Sequence, residues 1–175
     1  MREDEQQGIF VDWLKSHEGL FFKVVRAYAF TPQDQEDLFQ EISTRVWNSI
    51  PSFRGDSAVT TWIYRVALNT AIGWTQKERK HRAGKQELDG AEHAMLQTSS
   101  AADPRIEWLY EQIRQLNEVD RSLTLLLLDG FSYKEMAAML GITESYVGVK
   151  INRIKAHLTG KSRSGGSGGE IGNGV

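Results

Sequence analysis

Apolar residues recur every three to four positions along almost the whole chain, and the alternation expected of strands is nearly absent, so the sequence predicts an all-α protein. The first stripe is Phe10, Trp13, Leu14, His17, Leu20, Phe21, Val24, Val25 and Tyr28, which predicts one helix from about Ile9 to Tyr28. His17 lies on that stripe and reads as a packed histidine rather than a metal ligand. Thr31-Pro32 opens a second helix, with Thr31 as cap and Pro32 in the first turn. Asp34, Glu36 and Asp37 follow where the helix dipole favours negative charge, and Leu38, Ile42, Val46 and Trp47 supply the buried face. The stretch PSFRGDS, from Pro51 to Ser57, breaks the pattern. A third helix then runs from about Ala58 to near Lys80, with Val59, Ile63, Val66, Ala67, Thr70 and Trp74 on its inner stripe.

Periodicity fades between Gly84 and Asp103 and returns after Pro104. That gap reads as a flexible linker, so the chain divides into two small helical domains, 8–82 and 105–158, joined by 83–104. In the second domain, Arg105 to Leu116 and Glu118 to Leu128 are predicted helices. Gly130 suits the left-handed position that ends the latter, with Phe131 folding back on Leu126. Residues 159–175, rich in Gly and Ser, read as a disordered tail, native or an expression linker.

The stretch SYKEMAAMLGITESYVGVKINRIK, Ser132 to Lys155, carries the clearest functional signal. Ser132 and Glu135 form a capping box, and Thr143 can cap the next helix. Ala137, Gly141 and Val147 have the spacing that lets two helices cross closely around a sharp turn. Lys150, Arg153 and Lys155 fall on the outer side of the second helix. This is the pattern of a helix-turn-helix that lays its second helix in a major groove, against the plainer alternative of a helical hairpin.

A net charge of −2, taken alone, argues against nucleic-acid binding, but its distribution does not. Residues 1–60 hold six Lys+Arg against ten Asp+Glu, 61–85 six against one, 86–130 three against nine, and 131–163 six against two. Two separate cationic blocks suggest two contacts with phosphate. The acidic blocks suggest surfaces that face protein or solvent. There is no apolar run long enough to span a membrane, no signal-peptide pattern in MREDEQQG, and no cysteine, which together point to the cytoplasm.

With these residues in view, the chain resembles a group-four, extracytoplasmic-function (ECF) sigma factor of bacterial RNA polymerase. The segment DQEDLFQEISTRVWNSIPSFRGDSAVTTWIYRVALNTAIGWTQKERK is similar to the family's second conserved region. The segment LNEVDRSLTLLLLDGFSYKEMAAMLGITESYVGVKINRIKAHL is similar to its fourth. The resemblance covers about residues 8–82 and 105–158. It implies that Asp37, Leu38, Gln40 and Glu41 dock on a coiled coil of the polymerase clamp. It implies a base-capturing loop at Phe53, Arg54, Gly55, Asp56 and Ser57, ahead of a helix that melts the minus-ten element. On that helix Asn69 is the candidate for a base edge, and Arg65, Lys77, Arg79 and Lys80 for phosphates. Trp62 is open between stacking platform and packing, while Trp74 is expected to pack. In the helix-turn-helix, the resemblance places Asn152 and Arg153 at base edges of the minus-thirty-five element. Val149 falls near a thymine methyl, and Tyr146, Lys150 and Lys155 near phosphates.

The remaining outer face of the second domain, with Leu125 to Leu128 beneath it, resembles the family's docking surface for the polymerase flap, and most of those leucines should be core. Two positions depart from the family pattern: the uncharged pair Gly148-Val149, and Asn117-Glu118 where a proline pair is usual. The implied partners are core polymerase (clamp coiled coil and flap), promoter DNA and an anti-sigma factor. No enzymatic activity, cofactor or metal is implied. Asp34, Glu36, Asp37 and Glu41 are carboxylates without an accompanying Glu-x-x-His, and His81, His93 and His157 are scattered. The alternative function is a free-standing helix-turn-helix regulator, which would normally dimerise on paired half-sites.

Overall fold

The computed structural model describes residues 1–83 and 103–165. They form eight α-helices and no strand. In the N-terminal half these are α1 (Glu3–Ser16), α2 (Glu18–Tyr28), α3 (Pro32–Ser49) and α4 (Val59–Ala83), with a 3-10 turn at Ile50–Ser52. In the C-terminal half they are α5 (Pro104–Gln115), α6 (Glu118–Leu128), α7 (Tyr133–Leu140) and α8 (Glu144–Gly165).

The single first helix expected from Ile9 to Tyr28 is instead two, broken at His17, whose backbone leaves helical geometry (φ −124°, ψ 21°). One straight stripe could not face both of its partners. The break turns α1 onto α3 and the 3-10 turn, where Trp13 meets Phe53, and leaves α2 against α4. Ser16, His17 and Gly19 are weak helix formers, so the kink falls where the helix has least to lose. The tail expected from residue 159 is also partly helical, because α8 continues to Gly165. Extending a packed helix is easier than starting one, and Lys161 suits the negative end of its dipole. Residues 166–175 and most of the expected linker, 84–102, lie outside the described residues.

The caps hold as expected. Thr31 accepts from Asp34 N–H (3.1 Å) and Thr143 from Tyr146 N–H (3.2 Å). Ser132 and Glu135 satisfy each other's backbone N–H groups in a capping box. Asn117, standing where the family has proline, caps α6 by accepting from Asp120 N–H (3.0 Å). Gly130 and Gly141 both adopt positive φ (80° and 67°), a conformation that costs a side-chain-bearing residue strain. At Gly130 the N–H of Phe131 returns to Leu126 C=O (3.1 Å), closing α6 in the manner of a Schellman motif.

The buried side chains of both halves form one continuous core. Helices α2 and α4 supply the N-terminal wall of the junction, and α5, α6 and α7 the other. Tyr28, 2 % exposed, donates its hydroxyl hydrogen to Glu118 C=O (2.5 Å) and lies 2.6 Å from Ser122 Oγ. Asp129 receives the Tyr64 hydroxyl on one oxygen and Lys23 Nζ on the other. Arg26 pairs with Glu107 while its guanidinium lies 4.0 Å over the Tyr110 ring. Arg79 pairs with Glu118 (2.7 Å), and Phe131 meets Tyr64 edge-on at 5.5 Å. The acidic 86–130 block therefore turns three of its carboxylates toward cations of the N-terminal half. Burial raises the pKa of Tyr28, Tyr64 and Tyr110, and for Tyr64 the neighbouring Asp129 carboxylate adds to the rise.

Helix α4 is buried more broadly than its predicted stripe. Tyr64, Leu68 and Ala71 are buried in addition to Ile63 and Ala67, while Val66, Thr70 and Trp74 are half-buried. A helix packed on both sides needs a wider apolar band than one lying on a single core.

Candidate nucleic-acid interface

Three surfaces carry the residues singled out in the sequence. The first is formed by the loop after the 3-10 turn and by α3 and α4. Phe53 sits edge-to-face between Trp13 (5.2 Å) and Trp62 (5.5 Å), so it anchors the loop and is not presented to solvent as a stacking platform. Trp62 donates its indole N–H to Ser49 Oγ (2.9 Å), and Ser49 passes its hydrogen to Val46 C=O (2.8 Å). With its one donor consumed, Trp62 offers ring surface alone. It forms a wall shared by two neighbouring clefts.

One cleft, about 240 Å³, is lined by Ser52, Phe53, Arg54, Asp56, Ser57 and Trp62. The other, about 350 Å³, lies between α3 and α4 and is lined by Arg45, Trp62, Arg65, Val66, Asn69 and Thr70. Arg54, Asp56, Ser57, Arg65 and Asn69 are all exposed, as are Lys77 and Lys80 farther along α4. Arg79 differs, because its guanidinium is held by Glu118 of the C-terminal half. Trp74 is half-buried beside Tyr28, Phe30 and Arg121, away from the two clefts, in keeping with a packing role.

Arg45 escaped the sequence reading. Its spacing from Glu41 announces only an i,i+4 ion pair, which is present at 3.2 Å. That α3 crosses α4 so as to bring Arg45 opposite Asn69 is a tertiary fact with no local signature.

The second surface is the outer face of α3. Asp37 and Gln40 are exposed, Asp37 accepting from Gln33 Nε2 (3.1 Å), and Glu41 is half-buried beside Arg45. Leu38 does not belong with them. It is 0 % exposed and fastens α3 to the core, so it cannot touch a docking partner. The apolar element of this face is Phe39, stacked on Phe22 at 5.7 Å, with Phe22 54 % exposed.

The third surface is the outer face of α8. Val147, Ile151 and Ile154 point inward and are buried, which turns Tyr146, Val149, Asn152, Arg153 and Lys155 outward. Lys150 is an exception among the expected phosphate contacts. Its side chain is 18 % exposed and pairs with Asp120 of α6 at 3.1 Å, which raises its pKa and braces α8 on α6. The Lys150 amine also lies 5.6 Å from the Tyr146 ring. Of the leucines 125 to 128, Leu125 and Leu126 are buried, Leu127 is half-buried and Leu128 is exposed. Among the described residues no group of three or more His, Asp or Glu side chains is gathered to hold a metal, and no helix is long and apolar enough to cross a membrane. His93 lies outside those residues.

Comparison with known proteins converges on one family. Residues 13–81 match Sigma-70 region 2 and residues 106–158 match Sigma-70, region 4. The ECF RNA polymerase sigma-E factor of Escherichia coli (strain K12) is 30% identical over 141 residues, 73% of each chain. The RNA polymerase sigma factor YlaC of Bacillus subtilis (strain 168) is 26% identical over 128 residues, covering 70% of this chain and 74% of the relative. Two solved structures share the fold at 19% identity. The sigma factor RpoE, in complex with the anti-sigma factor NepR from Bartonella quintana, gives a TM-score of 0.64 over 85% of this chain and 93% of its own. CnrH, in complex with the cytosolic domain of CnrY, gives 0.63 over 90% of both chains. A region-2 half with its loop and clefts, a region-4 half with its helix-turn-helix, and relatives of this extent together establish that the chain belongs to the extracytoplasmic-function, group-four sigma factors of bacterial RNA polymerase, non-enzymatic subunits that direct promoter-specific initiation of transcription.

Proposed function

We propose that the two halves divide the work, with residues 8–82 docking on core polymerase and melting the minus-ten element, and residues 105–158 reading the minus-thirty-five element. The observation that carries this is the direction in which the chain spends its exposed polar groups. Arg54, Asp56, Ser57, Arg65 and Asn69 surround two clefts beside one tryptophan. Asn152 and Arg153 stand on the outer face of α8, where a recognition helix meets base edges. No nucleotide hydrolysis is involved, so strand opening must be driven by binding, with bases drawn out of the stack and held by ring surface and hydrogen bonds. Asp37, Gln40 and Glu41, with Phe39 and Phe22 beside them, supply charge for steering and apolar area for burial at the clamp coiled coil. Exposed Leu128 marks the edge of the flap-docking surface.

The packed arrangement of the two halves bears on how promoters are read. By their names the two boxes lie roughly 25 base pairs apart, on the order of 80 Å at 3.4 Å per step. A compact chain of 175 residues is only roughly 40 Å across. The packed form therefore cannot reach both boxes, and promoter reading requires the junction at Tyr28, Tyr64 and Asp129 to open. The two solved structures compared above each hold their chain against a second protein, named in one of them as an anti-sigma factor, which supports an anti-sigma factor as a further partner. A role at polymerase and promoters supports a location in the bacterial cytoplasm.

The test is transcription by core polymerase mixed with this protein on a promoter library, scored by sequenced run-off products. Promoter-specific products above core alone are expected, with preferences at two separated boxes. Products no different from core alone would overturn the assignment of roles.

A further inference from the structure

We propose that α1 is a strut for the loop after the 3-10 turn, and that Trp13 is the positioning residue through which it acts, shaping the loop cleft by way of Phe53 without touching a base. The inference rests on the melting role above and deepens it. Trp13 is 7 % exposed, so its ring is not offered to DNA. Its edge-to-face partner at 5.2 Å is Phe53, and Phe53 in turn meets Trp62 at 5.5 Å. Three rings thus run in a row from α1, through the first residue of the loop, to α4.

The loop has little else to hold it. Phe53 N–H donates to Ile50 C=O (3.0 Å) at its start, whereas Arg54, Gly55, Asp56 and Ser57 make no hydrogen bond or ion pair among the described residues. Arg54, Asp56 and Ser57 therefore take their places around the 240 Å³ cleft from the two ends of the loop. One end is the start of α4 at Val59, and the other is the Phe53 ring. Groups that read a base must be held within about 0.5 Å of their working geometry by neighbours that are themselves fixed by packing. Trp62 is part of the cleft wall, so the support from outside the site is Trp13.

The strut is attached along one side. Gln6, Phe10 and Trp13 are spaced by four and then three residues, which places them on one face of α1. Gln6 donates its side-chain amide to Trp47 C=O (2.8 Å) in the last turn of α3, and Phe10 meets the Trp47 ring edge-on at 5.6 Å. Trp13 then meets Phe53, six residues farther along the chain. One face of α1 thus follows the backbone from the end of α3, past the 3-10 turn, to the loop. The break at His17 gives α1 this course. The region-2 match begins at Trp13, so membership of the family does not by itself assign α1 a role.

The experiment uses the full chain assembled with core polymerase and a promoter library randomised across the minus-ten element. Sequenced products are compared for wild type, Ser57→Ala, Trp13→Leu, Trp13→Phe, Gln6→Ala and Leu20→Ala. Ser57 lines the loop cleft, so Ser57→Ala marks the position that the loop governs. Wild type should discriminate among bases there by roughly fivefold or more, and Trp13→Leu, which keeps apolar bulk but offers Phe53 no ring, should bring this below about twofold while other positions stay as in wild type. Trp13→Phe restores an aromatic edge and should recover the preference. Gln6→Ala loosens the far end of the strut and should weaken the same position to a smaller degree. Leu20→Ala removes core volume on α2 and controls for lost stability, read in parallel as the urea midpoint; it should leave the preference intact. Ratios within one library do not depend on how much holoenzyme forms. The proposal is overturned if Trp13→Leu keeps full discrimination at the Ser57 position, flattens all positions alike, or does no more than Leu20→Ala. If Trp13→Leu does not fold, Gln6→Ala decides, and an unchanged preference at that position overturns the proposal. A Ser57→Ala variant that matches wild type at every position would sink the loop's part in melting and this inference with it, whereas a Ser57 effect beside an indifferent Trp13→Leu would sink this inference alone.

Discussion

Tyr28→Phe isolates the contact between the two halves of the chain. The phenol ring is 2 % exposed at the junction of α2 with α6, and its hydroxyl meets Glu118 C=O at 2.5 Å and Ser122 Oγ at 2.6 Å. Phenylalanine keeps the ring, so no cavity opens and no large packing loss is added. What disappears is one buried hydroxyl and its hydrogen bonds. Neither partner is left alone, since Ser122 Oγ also reaches Glu118 C=O at 3.2 Å. The cost is therefore that of ordinary buried hydrogen bonds, about 1–2 kcal/mol. With a urea dependence of about 1–3 kcal/mol per molar for a protein of this size, the midpoint should fall by roughly 0.5–1 M. Urea titration followed by tryptophan fluorescence and by far-ultraviolet circular dichroism reads this directly. Both signals should move together, because the halves share one core. If the variant melts where wild type melts, the phenol is not enclosed between the halves in solution and the packed junction is wrong. Transcription by the assembled holoenzyme should not fall, because promoter reading as proposed above requires that junction to open.

Other outcomes follow from the same contacts. Tyr28, Tyr64 and Tyr110 have pKa values raised above the ordinary phenol value of about 10, so the folded chain holds protons that the unfolded chain releases. Their stabilising contribution is complete below about pH 10 and is lost as pH climbs toward the folded values, so unfolding free energy should drop above pH 10, less steeply in Tyr28→Phe; a flat profile to pH 12 would contradict their burial. Lys155→Ala should make the salt dependence of upstream-box binding shallower by about one charge, whereas Lys150→Ala should leave it unchanged and instead cost about 1–3 kcal/mol of stability by leaving Asp120 without its cation. Arg153→Ala should cost about 1–3 kcal/mol at the upstream box and relax selectivity there, read as a change in sequence preference. Asn69→Ala should spare polymerase binding and abolish permanganate reactivity of downstream thymines; reactive thymines in that variant would remove Asn69 from the melting step.

The sequence disclosed most where structure is decided locally. Caps at Thr31, Asn117, Ser132 and Thr143 depend on a residue and the next three, and the left-handed turns at Gly130 and Gly141 on a single residue. The helix-turn-helix was legible for the same reason, since Ala137, Gly141 and Val147 define it within eleven residues. Misreadings occurred where two elements compete for one face. The stripe through His17 looks continuous because Trp13 and Leu20 both need burial, yet Trp13 is buried against Phe53 after the 3-10 turn, whereas α2 packs on α3 and α4. Lys150 looks like its neighbours Arg153 and Lys155 on a helical wheel, and only the approach of α6 distinguishes it. Leu38 belongs by motif to a docking face and by geometry to the core. Gln35, buried and donating to Ala29 C=O at 3.0 Å, shows a polar residue closing the end of a neighbouring helix, which composition could not reveal.

The alternating charge blocks gain a physical meaning from the junction. Lys23, Arg26 and Arg79 of the N-terminal half meet Asp129, Glu107 and Glu118 of the acidic block. These pairs are partly exposed, and pairs of this kind contribute roughly 0–1 kcal/mol each, so they orient the junction more than they seal it. Desolvation seals it, through Tyr28, Tyr64 and Phe131. In the roles proposed above, DNA would offer Arg79 a phosphate in place of Glu118, and polymerase would offer the halves separate surfaces to occupy. An arrangement held by one modest apolar seam and replaceable ion pairs can be opened by ligands that bind the separated halves more tightly than the packed ones. A junction of apolar contacts alone would give DNA no such competitor to displace. The acidic block thus occupies, in the packed protein, a cation that promoter phosphate would claim, and salt should weaken the packed junction and DNA binding together.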